Sequence, residues 1–316
     1  MIAKQRLIAM IIVAVVSFWG SCFWAKSFGI PVPSNTNEFS YLLAGDTFAH
    51  GRITNPPHPL SRYFETFHVV QHPTYMSKFP PGQGFLLSIG KVLWGQPVYG
   101  VWLSVALMCA AICWMLYGWV PPAWALLGGL VAALQFGVFT YWSQSYWGGA
   151  AAGIGGALVF GALPRILKFQ RKRDAFWLGL GLLVLVHTRP LEGFLVALPV
   201  VLLALGWKVR KKEFVLARWV KNIILPVVAM LVIAVISTGM YNKKITGSAF
   251  IFPHMAYNQV FSAVPLFIWQ PMNPQPEYNH QVMAIYEKNW NQDYYIKKRT
   301  WDGFVRDMTR DVRRLI

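Results

Sequence analysis

Between Leu7 and Trp24 no side chain carries a charge, and six later stretches read almost the same way: about Val98 to Trp119, Pro122 to Tyr141, Gly148 to Leu163, Ala175 to Thr188, Leu191 to Trp207 and Trp219 to Tyr241. A helix needs roughly 20 apolar residues to cross a bilayer. Backbone in lipid must satisfy its own hydrogen bonds, so such runs have few structural options besides the helix. Hydrophobic residues make up 55% of the chain and charged residues 13%, the balance of a polytopic membrane protein. The expected fold class is all-α: a polytopic integral membrane protein with about seven transmembrane helices, the fourth and fifth being the shortest.

The net charge of +17 would suit a nucleic-acid partner in a soluble chain. Here much of it gathers in short clusters between apolar runs, where it sets orientation, so no nucleic-acid partner is expected. Lys4 and Arg6 precede the first run, which reads as an uncleaved first span with a cytoplasmic N-terminus. The mixed segment from about Ala25 to Pro97 is then a long first loop on the outer face. That arrangement places Lys168, Arg171, Lys172 and Arg173 inside, together with Lys208, Arg210, Lys211 and Lys212. Gly84 to Trp94 is apolar but too short to span, and counting it would invert both clusters; it reads as an interfacial helix. The chain therefore divides into a transmembrane module, 1–241, and an outer-face polar tail, 242–316. The tail carries five prolines and a mixed-charge stretch from Tyr286 that suits helix, and its stop after Arg313-Arg314-Leu315-Ile316 reads as a fragment or an early end. Cys22, Cys109 and Cys113 lie in or beside apolar runs without metal or disulfide spacing, as small core residues do.

In the first loop, apolar residues from Glu38 to His50 recur near helical spacing, as in a helix lying at the membrane surface. Glu38 and Tyr41 share a face of it. Asp46 lies about 12 Å further along the axis and is turned by roughly 80°, so Glu38 and Asp46 do not form a dyad; both also suit the solvated side of an interfacial helix. Lys78 precedes Pro80-Pro81-Gly82, where two prolines fix the backbone and a helix start offers N–H groups to an anion such as a lipid phosphate. Alone, Lys78 would fit a snorkelling anchor equally well. His187, Arg189 and Glu192 cluster at the outer ends of adjoining spans, where Arg189 suits either a phosphate or a pairing with Glu192. His58, His68 and His72 are irregularly spaced and read as loop histidines, so a divalent metal stays open but is assigned to no residue. Tyr141, Trp142, Tyr146 and Trp147 form an aromatic belt, with sugar or isoprenoid stacking as the lesser alternative. Gly148, Gly149, Gly153, Gly155 and Gly156 allow close helix packing.

Asn37-Glu38-Phe39-Ser40-Tyr41 early in the first outer loop, then Lys78-Phe79-Pro80-Pro81 opening an interfacial helix, then many spans: this order resembles the GT-C superfamily of membrane glycosyltransferases, in particular the protein O-mannosyltransferase and aminoarabinose-transferase branch, over about residues 1–240. The resemblance implies a sugar moved, with inversion, from a polyprenyl-phosphate carrier to a protein, lipid or glycan acceptor on the outer face of the bacterial inner (plasma) membrane. It implies membrane lipid as a further partner and no cofactor. Carried onto this chain, Glu38 belongs to the acidic motif as proton acceptor, Lys78 stands at the lipid phosphate, and Tyr41 orients Glu38. His187 and Arg189 are further candidates at the phosphate. The family motif commonly begins with an acid, and here the position is Asn37, which cannot take a proton at neutral pH. Either Glu38 serves, or folding brings in Asp46, or catalysis is weak.

Two other functions stay open on sequence grounds. A non-catalytic subunit of the same fold, binding the lipid-linked sugar, would explain Asn37. A transporter would explain the spans without chemistry, but such proteins usually carry repeats and polar midplane residues, which are scarce here.

Overall fold

The computed structural model describes residues 2–210 and 216–315. They form two compact units, one built from Met1–Ile53 and Phe79–Tyr241, the other from Thr54–Lys78 and Asn242–Ile316.

The first unit is helical. α1 (Ile2–Phe28) follows the first apolar run and stops at Gly29, whose φ of 93° few other residues accept. α2 (Thr36–Ala49) is capped by Asn35, whose side chain accepts a hydrogen bond from the Asn37 amide at 3.1 Å. α3 (Pro81–Trp94) starts with proline at a position whose N–H would be spare, and ends at left-handed Gly95. Its 14 residues reach only about 21 Å, short of a bilayer core. Then come α4 (Val98–Leu116), α5 (Pro122–Leu134), α6 (Gly149–Phe169), α7 (Lys172–Val186), α8 (Pro190–Arg210), α9 (Leu216–Trp219) and α10 (Leu225–Thr246), the last two joined by a π-helical turn, Val220–Ile224.

Among the described residues five stretches are long and apolar enough to cross a membrane: Lys4–Phe28, Val98–Leu116, Pro122–Phe139, Gly149–Phe169 and Ala217–Thr246. The chain is a mostly helical membrane protein. The other two expected spans fall on α7, with 15 residues, and on α8, with 21. The basic cluster Lys168 to Arg173 sits at the α6–α7 turn, where Gln170 takes a left-handed φ of 50°. Lys211 and Lys212 lie outside the described residues.

α4 is the hub, packing against α1, α3, α5 and α6, while α6 also lies along α7 and α8. Apolar side chains gain nothing from meeting each other instead of lipid tails, so close backbone approach has to supply the packing. A Cβ on Gly90 would land on the Gly100 backbone, and one on Gly100 would strike the Leu86 carbonyl. The α6–α7 crossing uses Gly155 and Gly181, each with its Cβ position within about 3 Å of the other's carbonyl. Gly153 faces Met108 and Gly149 faces Trp142, whereas Gly156 meets nothing within 4 Å. Packing thus accounts for all the grouped glycines named above except Gly156. The three cysteines are unbridged, Cys109 and Cys113 buried and Cys22 half-buried.

The second unit joins part of the first loop to the tail. β1 (Val69–Val70) and β2 (Met76–Ser77) form a short antiparallel ladder pairing Val69 with Ser77 and Val70 with Met76. Thr74 donates to the Ile245 carbonyl at 2.9 Å, tying the loop to the residues after Tyr241. α11 (Pro253–Phe261), α12 (Gln281–Ile285), α13 (Asp293–Arg299) and α14 (Trp301–Leu315) follow, with a π-helical stretch, Tyr286–Gln292, between α12 and α13. The stretch from Tyr286 is helical, as its composition suggests.

Candidate functional site

In the first unit two of the candidate residues lie on the buried side of α2. Glu38 and Tyr41 share that face, only 3% and 6% exposed. Glu38 Oε2 accepts from the Tyr146 amide at 3.2 Å, and Gln83 Nε2 donates to the Tyr146 carbonyl at 3.1 Å. Two buried polar side chains thus hold one residue of the α5–α6 loop from both sides. The Tyr146 hydroxyl donates to the Pro31 carbonyl at 3.0 Å; burial, and then the charge of Glu38, make it a weaker acid than usual. Tyr41 stacks on Phe79 with ring centres 4.6 Å apart. Burial raises its pKa, with the Arg189 charge pulling the other way and Glu192 adding to the rise. Tyr41 and Arg189, candidates far apart in sequence, therefore lie within electrostatic reach.

Other candidates are engaged differently from expectation. Asp46 pairs with Lys91 of α3 and lies 3.6 Å from His50 Nδ1. The Lys91 hydrogen bond holds its carboxyl below the usual range, which weakens it as a proton acceptor. Asn37 is half-buried in the first turn of α2. His187 offers no free nitrogen to a phosphate: Nδ1 faces the Leu183 carbonyl at 2.9 Å and Nε2 meets the Ser237 hydroxyl at 3.0 Å. Arg189 forms its pair with Glu192 at 3.2 Å in an open setting. The start of α3 is also less free than the proline motif suggests, because the Gly82 amide donates to the His187 carbonyl at 2.8 Å.

The second unit holds Lys78. Its amide donates to the His68 carbonyl at 3.0 Å, and its ammonium sits 4.2 Å above the Tyr257 ring centre, within cation–π range. Loss of hydration pushes its pKa down to about 8, against an upward pull from Glu287. Glu287, at 1% exposed, is the residue that sequence inspection missed. It lies in the π-helical stretch, accepts from Asn291 Nδ2 at 3.0 Å and is also hydrogen-bonded to Ser262. Burial raises its pKa while Asn291, Ser262 and Lys78 lower it. Tyr257, Tyr278 and Tyr286 each feel its charge. His68, buried and held at φ 62°, falls to about 3 through burial and then the Lys78 charge. His254 is lowered for the same two reasons. Lys78 is therefore a poorly hydrated cation faced by one buried carboxylate and two imidazoles that stay neutral beside it.

Of the loop histidines, His58 Nδ1 accepts from the Leu60 amide at 3.1 Å and His72 Nε2 meets the Ser61 hydroxyl at 2.7 Å. No group of three potential metal ligands occurs among the described residues. Trp269 stacks on Phe267 at 4.7 Å and is 73% exposed. Glu287, Tyr257 and Gln83 carry no distinguishing sequence signal, and Tyr146 stood out only as one ring of the aromatic belt; folding buries all four. No protein-family model matches the chain, and no curated protein or solved structure does.

Proposed function

We propose that this chain is an integral-membrane glycosyltransferase of GT-C-like fold with seven spans, moving a sugar from a polyprenyl-phosphate carrier to an acceptor on the outer face with inversion. The observation that carries the reading is Lys78: a chain poor in charge keeps one ammonium half-dehydrated over Tyr257, with Glu287 supporting its charge. A cation short of water gains more from a phosphate oxygen than a solvated one does. Glu38 is the proton acceptor, since Asp46 is paired and Asn37 cannot ionise. Within the first unit, Arg189 lies within electrostatic reach of Tyr41.

A second reading is favoured by one observation. Glu38 is buried and already accepts the Tyr146 amide, so a non-catalytic subunit that binds the lipid-linked sugar fits the same residues. Transfer of labelled sugar from a panel of polyprenyl-phosphate donors, in membranes carrying this chain, separates the two. Glu38→Gln keeps an oxygen for the Tyr146 amide while removing the base, and should lower transfer about 10²- to 10⁴-fold. Lys78→Ala should weaken donor binding by about 10-fold or more. Asn37→Asp, in the first turn where an acid suits the helix dipole, should raise transfer. Donor binding without transfer in every variant would favour the non-catalytic reading; solute movement with neither would return the chain to transport.

A further inference from the structure

The second unit contains a cleft of about 510 Å³ whose lining includes Tyr63, Phe64, Phe67 and Tyr75, with Glu65 and His280 among its polar groups. Its size falls in the range of small-ligand sites, roughly 300–1,000 Å³. Two of its rings are placed at a cost: Tyr63 is 68% exposed and Phe64 57% exposed, on a loop where smaller polar residues would leave less apolar surface in water. Two of the four rings are braced by others. Phe64 meets His58 edge-on at 5.0 Å and Phe67 meets Tyr286 at 4.7 Å.

The polar edge is fixed as well. Glu65 Oε2 accepts from the backbone amides of Asn279 at 3.0 Å and His280 at 3.3 Å, and Oε1 accepts from the Asn279 side-chain amide. Arg62 Nε donates to Asn279 Oδ1 at 3.0 Å, and His280 Nε2 donates to the Tyr63 carbonyl at 3.0 Å. A carboxylate offers about four acceptor sites, so capacity remains on Oε1. Rigid aromatic faces beside an already oriented acceptor lower the ordering cost of a ligand that fits them.

Three ligand classes can be weighed against this lining. An anionic headgroup is disfavoured by the carboxylate. A small quaternary ammonium prefers a closed aromatic cage around a sphere, whereas this cleft is wide and open, and Arg62 beside Asn279 offsets the Glu65 charge. A neutral saccharide matches both features: its C–H faces are weakly positive and lie on the negative face of an aromatic ring, while its hydroxyls donate to the carboxylate.

We propose that the cleft formed by Tyr63, Phe64, Phe67, Tyr75, Glu65 and His280 binds a neutral saccharide and presents the hydroxyl-bearing acceptor of the transfer reaction. The acceptor role rests on the transferase reading; the binding does not.

Saturation-transfer difference NMR on the detergent-solubilised full chain tests it, with gluco-, manno- and galactotrisaccharides as probes and choline chloride as the cationic comparison. At least one trisaccharide should receive saturation through its ring C–H protons. Tyr63→Ala and Phe64→Ala, both at exposed rings, should weaken that binding at least 10-fold with an unchanged unfolding midpoint. Failure of every trisaccharide, binding unaffected by either substitution, or binding of choline alone would overturn the assignment. Donor binding and transfer are measured on the same samples. Lys78-dependent transfer with no saccharide bound by the cleft sinks the cleft and spares the transferase. Cleft-dependent saccharide binding with no transfer from any donor sinks the acceptor role and the transferase, and leaves the binding site.

Discussion

A lysine deprived of water holds its proton less firmly, and Lys78, pushed down to about 8, turns that into a pH dependence. The shift is downward, so the ammonium is present below about 8 and is lost as pH rises through that value, well before an ordinary lysine would lose it. Affinity for a polyprenyl-phosphate sugar is expected to stay level from about pH 6 to 7.5 and to fall above about 8. Lys78→Arg, which does not deprotonate in this range, should remove the fall. Glu287→Gln should move it to lower pH, because the carboxylate helps keep Lys78 charged. Titrating the binding of a fluorescent polyprenyl-phosphate sugar, whose phosphodiester carries the same charge throughout this range, measures all three proteins; wild-type affinity persisting to about pH 9.5 would refute the dehydrated-cation account. Glu38 differs in kind, since its carboxylate also holds the Tyr146 amide. Glu38→Ala should cost about 1–3 kcal/mol of stability through the unsatisfied donor, whereas Glu38→Gln should cost little.

Helices in this chain depend on contacts that a single methyl group would break. At the α3–α4 crossing a Cβ on Gly100 would strike the Leu86 carbonyl, and one on Gly90 the backbone of Gly100. Backbone cannot rotate away as a side-chain tip can, so Gly100→Ala should cost about 1–3 kcal/mol or more. Gly156→Ala, with open space around the new methyl, should be neutral or stabilising by up to about 1 kcal/mol. Thermal unfolding in detergent compares the pair, and equal effects would mean that α3 and α4 do not meet through these glycines. α13 and α14 are joined by charge instead: Asp307 pairs with Lys298 at 2.8 Å and with Arg310, and Tyr294 donates to it at 2.6 Å. Lys298 and Tyr294 hold the Asp307 pKa at about 2. Its contribution is therefore present above the ordinary carboxylate range and is lost as pH falls from about 4 through 2. Amide protection across residues 293–315, taken relative to the intrinsic exchange rate at each pH, should fall over that interval, and Asp307→Asn should remove that change.

At the scale of the molecule, the apolar runs were legible because period and length are properties of a single segment. α2, α3 and five of the apolar runs appear close to where composition placed them. The partition of the first loop was not legible: Thr54–Lys78 belongs with Asn242–Ile316, and nothing local to either segment announces a partner so distant in sequence. The same gap hid Glu287, which reads as a solvated helical charge until the fold buries it, and His187, whose ring nitrogens are taken by Leu183 and Ser237. A unit made of two distant segments should open as one. Hydrogen bonds tie the loop to the tail at several places, among them Thr74 to Ile245, the Asn279 and His280 amides to Glu65, and Arg62 to Asn279. Thr74→Val and Glu65→Ala together take away one neutral bond and a charged acceptor with all its bonds, worth together about 2–4 kcal/mol. Hydrogen exchange in both 54–78 and 275–285 should rise by about 10-fold or more in the double variant, while α4 and α6 keep their protection. Acceleration confined to one of the two segments would show that they fold independently.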